Sequence, residues 1–98
     1  MRLKAAEAQE FKSIAERIFG PSVVVRLFGS RVDDNKRGGD IDLHLEVDPE
    51  ATNSQRKSAF HTALDVEMNE EQVDVIIYER GAPLRWIDRA ALREGIIL

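Results

Sequence analysis

Apolar residues along the chain recur with two periods, one typical of helices and one typical of strands. Helical spacing predicts three helices, over Leu3–Phe19, from about Asn53 to Asn69, and over Leu84–Arg93. Gly20 and Gly95 follow the first and third, where glycine commonly caps a helix. The apolar residues that define the helices are Ala8, Phe11, Ala15 and Ile18 in the first, Phe60, Ala63, Leu64 and Met68 in the second, and Leu84, Ile87 and Ala91 in the third.

Three other segments have the composition or the alternation of strands. Ser22–Phe28 is apolar and β-branched, Asp40–Val47 alternates strictly, and Gln72–Tyr78 is apolar except at Asp74. Gly29–Gly39 is rich in turn formers and is predicted to be a loop. The two faces of the alternating strand carry Ile41, Leu43, Leu45 and Val47 on one side and Asp40, Asp42, His44 and Glu46 on the other.

The element order α-β-β-α-β-α predicts an α/β (α+β) fold, with a small mixed sheet flanked by helices. The short loop between the first two strands favours antiparallel pairing. The third strand follows a helix, so we expect it to run parallel to the second.

Length and charge restrict the function classes. The 98 residues are expected to form a single domain, spanning positions 1–98. A net charge of -4 disfavours a domain that binds nucleic acid directly. The chain has no cysteine, which excludes disulfides and thiolate zinc sites. No apolar segment predicts a signal or membrane anchor, so we expect a soluble cytoplasmic protein.

Three aspartates lie in predicted strands, where this residue type is unfavourable. Asp40 and Asp42 share one face of a strand, with Cβ atoms about 6–7 Å apart. Asp74 repeats the anomaly in the next strand, so the three carboxylates converge if the strands are neighbours. Clustered carboxylates repel unless a cation lies among them, and Mg²⁺ prefers such oxygen ligands.

Each of these features has a simpler explanation when taken alone. With eight aspartates, about 0.6 Asp-x-Asp matches are expected by chance. Asp40 and Asp42 are also compatible with an exposed edge strand whose carboxylates face water. Asp74 alone is typical of a polar residue tolerated near a strand end.

Gly29-Ser30 follows directly after a predicted buried strand, where backbone N–H groups and a hydroxyl can meet phosphate oxygens. A plain turn is the alternative for this dipeptide alone. The complete order is more specific, because an apolar strand, Gly-Ser, Asp-x-Asp and a later strand aspartate follow one another at defined spacing.

This combined pattern resembles the nucleotidyltransferase superfamily that includes DNA polymerase beta. The resemblance rests on Phe28–Arg31 (FGSR), Gly39–Leu43 (GDIDL) and Val73–Ile76 (VDVI) and covers nearly the whole chain. It is strongest with the minimal nucleotidyltransferases of bacteria and archaea, often encoded beside a HEPN-domain protein as a toxin–antitoxin pair. Many relatives have a serine before the first aspartate, where this chain has Gly39.

The resemblance implies a role for each matching residue. Gly29, Ser30 and Arg31 would bind the triphosphate, and Asp40, Asp42 and Asp74 would be the catalytic and metal-binding carboxylates. Two Mg²⁺ ions, with Mn²⁺ as the alternative, would support in-line transfer of a nucleoside monophosphate. Asp74 would activate the acceptor hydroxyl.

Other polar and aromatic residues are assigned simpler roles. Lys36 and Arg37 are as typical of a solvated loop as of triphosphate contacts, and His61 is expected at the helix surface. His44 is expected at the margin of the site, and Trp86 to pack rather than stack on a base. A solvated helix face with local ion pairs is expected for Arg85, Asp88, Arg89, Arg93 and Glu94.

The resemblance favours an enzyme that transfers AMP from ATP to a hydroxyl of a HEPN-domain toxin, because the chain has no room for an acceptor domain. One alternative is an antitoxin that binds a nucleotide and blocks its toxin by contact alone. Another is a small-molecule nucleotidyltransferase that acts as a homodimer.

Overall fold

The computed structural model describes residues 3–29, 41–69 and 73–98, which form three α-helices, a short 3-10 helix and four strands. The order α-β-β-α-β-α is confirmed, and a two-residue strand that the sequence pattern did not predict follows the last helix. The elements are α1 (Ala5–Phe19), β1 (Val24–Phe28), β2 (Ile41–Val47), α2 (Ser54–Met68), β3 (Val73–Glu79), α3 (Trp86–Glu94) and β4 (Ile96–Ile97).

The four strands form one sheet in the order β3-β2-β1-β4. β1 pairs antiparallel with β2, and β2 pairs parallel with β3, as predicted. β4 runs antiparallel to β1, and the Leu98 amide donates to the Val25 carbonyl oxygen at 2.9 Å. β2 therefore lies inside the sheet, and the alternative that made it an exposed edge strand is wrong.

One face of the sheet carries the apolar core. Ile41, Leu43, Leu45 and Val47 of β2 are all buried, as the alternation predicted. They belong to one cluster with the buried residues of α1 and α2, which include Phe11, Ile14, Ala15, Phe19, Phe60, Ala63 and Leu64. The rings of Phe19 and Phe60 lie 5.7 Å apart and join the two helices. This face owes its stability to apolar burial.

The bounds of the first two helices differ slightly from the predicted ones. α1 begins at Ala5, and Pro49 begins a short 3-10 helix before α2. Asn53 caps α2, because its side-chain oxygen accepts from the Arg56 amide at 2.8 Å. Asn69 ends α2 in the left-handed conformation. In the described ranges, no helix is both long and apolar enough to cross a membrane.

The third helix departs further from the prediction. It begins at Trp86, two residues after Leu84, and both of these side chains are exposed. The expectation that Trp86 packs is wrong, and so is the expectation that Asp88 is solvated. Asp88 and Ala91 are the buried residues of α3, and Trp86 lies about 200° around the helix axis from Asp88.

Replacing Phe60 by alanine should reduce the free energy of unfolding by about 3–5 kcal/mol, because the ring is fully buried against Phe19. Val66→Ala is the control in the same helix. Its side chain is 75% exposed, so the change should be within about 0.5 kcal/mol. Urea unfolding measures both, and equal losses would contradict the assigned core.

Candidate active site

Asp42 and Asp74 occupy neighbouring positions on adjacent strands. They are Cα partners in the parallel pairing of β2 and β3, where strands lie about 4.8 Å apart. Partners in this register project to the same face of the sheet, away from the core. Asp42 is half-buried, and Asp74 is exposed on an edge strand. Two of the three predicted carboxylates therefore meet at the same end of the sheet.

Gly29 follows β1 and lies directly against the Asp42 carboxyl group. Its φ of +83° is in the left-handed region, which favours glycine. A Cβ atom added at Gly29 would collide with Oδ2 of Asp42 and lie 3.0 Å from its Cγ atom. The Gly29 backbone at the end of β1 thus packs directly against the Asp42 carboxyl group of β2.

The remaining predicted site residues lie outside the described residues. These are Ser30, Arg31, Lys36, Arg37, Gly39 and Asp40. Within the described ranges, no group of three or more His, Cys, Asp or Glu side chains has an arrangement that could hold a metal ion. Asp42 and Asp74 alone supply two hard oxygen ligands of the kind that Mg²⁺ prefers, beside a close backbone approach at Gly29.

The outer face of the sheet also carries a buried polar pair that the sequence interpretation missed. His44, on β2, and Asp88, on α3, are both fully buried. The Nε2 atom of His44 lies 2.9 Å from Oδ1 of Asp88. Arg85 donates to Asp88 from its backbone amide and from Nε, each at 2.8 Å. His44 lies next to Asp42 on this face of β2, and α3 covers it.

The ionisation of Asp88 follows from these contacts. Burial by itself raises the pKa of Asp88, but hydrogen bonds from Arg85 and His44 outweigh it and hold the pKa well below its usual range. An ionised carboxylate only accepts hydrogen bonds, so the Nε2 atom of His44 carries the shared proton and donates. The sequence contained one signal of this arrangement, since Asp88 shares a helix face with Leu84 and Ala91.

The His44 ring lies between two aromatic rings. Phe28 meets it edge-on at a centroid distance of 6.3 Å, and Tyr78 stacks on it at 6.1 Å. The Nδ1 atom of His44 is buried and has no hydrogen-bond partner within the described part of the chain. The orientation of the ring is thus set by Asp88 on one side and by ring packing on the others.

A second polar cluster lies at the opposite end of the same sheet face. Glu46 pairs with Arg26 at 3.1 Å and with Arg80 at 2.9 Å, and Arg80 also pairs with Asp48. Burial raises the pKa of Glu46, but hydrogen bonds from Arg80 and Arg26 reverse this effect and lower it. This cluster joins β1, β2 and the end of β3, and its central residue, Glu46, lies four residues after Asp42 on β2.

The arginines of α3 lie at the surface as expected, whereas His61 of α2 does not. Arg93 pairs with Glu94 at 3.2 Å, and Arg89 donates to the Leu84 carbonyl oxygen, so the exposed arginine face is confirmed. His61 is half-buried rather than a simple surface residue. Burial lowers the pKa of His61, Lys57 lowers it further, and the Asp74 carboxylate opposes both.

Comparison with protein families matches residues 8–91 to the family described as nucleotidyltransferase domain. The match covers most of the chain and includes both described carboxylates and Gly29. The chain belongs to this family. Compared with curated proteins, it has no significant match.

Family membership makes this nucleotidyltransferase a transferase that acts on a nucleotide substrate. The fold agrees, because the mixed α/β architecture places Asp42 beside Asp74 and Gly29 beside Asp42. The residues at this end of the sheet therefore form the candidate active site of the nucleotidyltransferase.

Gly29→Ala should destabilise the protein more than Gly81→Ala. Both glycines have positive φ, +83° and +96°, so both substitutions introduce strain of about 1–2 kcal/mol. A Cβ atom at Gly81 meets open space, whereas at Gly29 it collides with Asp42. Combining Gly29→Ala with Asp42→Ala should recover about 1 kcal/mol relative to additivity, measured by urea unfolding. Strict additivity would exclude the collision.

Asp88→Asn should destabilise the nucleotidyltransferase by about 2 kcal/mol at pH 7, because it weakens hydrogen bonds to a buried carboxylate. The pKa of Asp88 is lower in the folded state than the unfolded value of about 3.9. Its contribution is therefore fully present above that unfolded value and is lost as the pH falls below it. Urea unfolding at pH 7 and pH 3 measures the difference between wild type and variant, which should shrink at pH 3.

Proposed function

We propose that this nucleotidyltransferase transfers a nucleoside monophosphate, AMP from ATP, to a hydroxyl group of a partner protein. The observation that carries the proposal is the register of Asp42 with Asp74, with the Gly29 backbone packed against Asp42. We further propose that positions 1–98 act as one minimal domain, in the cytoplasm.

We assign the donor site to the end of β1, the start of β2 and the residues between these two strands. Gly29, Ser30 and Arg31 would bind the triphosphate, because backbone N–H groups and a guanidinium are suitable donors to phosphate oxygens. Asp40, Asp42 and Asp74 would hold two Mg²⁺ ions, for which Mn²⁺ could substitute. When bound, the ions neutralise triphosphate charge and stabilise the attacking and leaving oxygens of an in-line displacement.

Asp74 is assigned to the acceptor side of the reaction. It lies on edge strand β3 and its side chain is exposed, so a hydroxyl group of another protein can reach it from solvent. A carboxylate oxygen of Asp74 accepts the proton while the hydroxyl oxygen attacks the α-phosphorus. The bond from the α-phosphorus to the bridging oxygen breaks, and pyrophosphate leaves.

The partner is proposed from the resemblance to minimal nucleotidyltransferases. A HEPN-domain toxin encoded beside this chain would supply the acceptor, a tyrosine hydroxyl, and its modification would neutralise it. The enzyme would then be the antitoxin of the pair. Asp74 should affect transfer more than nucleotide binding, because its role arises as the acceptor loses its proton.

The test is to incubate the enzyme with labelled ATP, Mg²⁺ and the protein encoded beside it, and to weigh that protein by mass spectrometry. Wild type should add a nucleoside monophosphate, and transfer by Asp74→Asn should fall at least a hundredfold while ATP binding remains. Asp65→Asn is the matched control, because Asp65 is an exposed aspartate on α2, outside the site.

Two outcomes would refute the proposal. If wild type neutralises the partner without changing its mass, and Asp74→Asn does so equally well, the chain acts as a binding antitoxin. If wild type labels a small molecule and leaves the protein unlabelled, the acceptor class is wrong.

A further inference from the structure

The buried pair of His44 and Asp88 has no role in the proposed chemistry. Both side chains are fully buried, and a pair of this kind is often no more stabilising than apolar residues of the same volume. α3 contributes Ala91 as its other buried residue, so the pair also attaches this helix to the sheet. Attachment alone, however, does not require a histidine two residues from Asp42 on the same face of β2.

A continuous series of contacts joins the pair to the candidate active site. Asp88 orients the His44 ring through the 2.9 Å hydrogen bond to Nε2. That ring makes a T-shaped contact with Phe28, whose Cα partner across the sheet is Asp42. Phe28 is 8% exposed and therefore has little room to move independently.

The series ends at the carboxylate itself. Gly29 follows Phe28 in the chain and lies so close to Asp42 that a Cβ atom added at Gly29 would collide with the carboxyl group. A shift of Phe28 therefore moves Gly29 relative to the Asp42 carboxyl group. His44 is also two residues from Asp42 on the same face of β2, so its ring lies next to Asp42 along β2 and contacts the cross-strand partner of Asp42, Phe28.

We propose that His44 and Asp88 are positioning residues that fix Gly29 and Asp42 in the geometry of the active site. They act through Phe28 and do not touch the substrate. The catalytic consequence rests on the proposed function, whereas the positioning itself is a property of the protein without ligands. Residues that do not bind the metal but orient its ligands are a general feature of metal sites.

The experiment compares variants that keep or remove the hydrogen bond. His44→Leu removes it and retains apolar volume, and His44→Gln retains a donor that can reach Asp88. Asp88→Asn supplies a second test if His44→Leu does not fold. Glu46→Gln is the matched control, because Glu46 is on the same strand and face as His44 but belongs to the cluster at the far end.

Three quantities are measured for each variant: the unfolding midpoint, the backbone amide chemical shifts of Gly29 and Asp42 without ligand, and the Kd for Mn²⁺ with ATP. His44→Leu and Asp88→Asn should shift both amides and weaken Mn²⁺ binding about tenfold. His44→Gln should restore both properties. Glu46→Gln should lower the unfolding midpoint while leaving the amides and the Kd at wild-type values.

A merely structural role predicts a different pattern. If His44→Leu and Asp88→Asn lower the unfolding midpoint but leave both amides and the Kd unchanged, the pair only attaches α3 and the positioning proposal is wrong. If Asp42→Asn binds Mn²⁺ as tightly as wild type, the proposed function of the site fails. The amide shifts still decide the positioning proposal in that case, because they are recorded without metal or nucleotide.

Discussion

The parallel pairing of β2 with β3 is the interaction on which the candidate active site depends. It makes Asp42 and Asp74 partners, and a slip of one residue would turn Asp74 towards the apolar face. The register is held at the far end, where the Arg80 amide donates to the Val47 carbonyl oxygen at 2.8 Å. The Arg80 guanidinium also binds Glu46 of β2. Contacts remote from the carboxylates thus determine which carboxylates meet.

The two faces of the sheet are stabilised by different forces. The inner face is an apolar core beneath α1 and α2, which tolerates small adjustments of packing. The outer face carries Arg26, His44 and Glu46 in one strand pair, and α3 covers His44 through Asp88. Hydrogen bonds are directional, so they fix side-chain orientation more strictly than apolar contacts do. The face that bears Asp42 and Asp74 therefore combines ring packing with a buried, directional hydrogen bond.

The family match and the geometry support each other at different levels. The match over residues 8–91 shows a nucleotidyltransferase, and the positions of Asp42, Asp74 and Gly29 are compatible with that activity. Asp74 lies on edge strand β3 and is exposed to solvent, so the proposed acceptor can approach it.

Sequence alone determined the local elements, because helix and strand periods follow from backbone geometry over a few residues. It predicted the buried face of β2 and the antiparallel and parallel pairings, and it made the meeting of Asp42 with Asp74 conditional on their strands being neighbours. Only the tertiary structure joined His44 to Asp88, 44 positions apart, and exposed Trp86. Both depend on how α3 docks on the sheet, and that contact joins residues far apart in the chain, so no local period encodes it.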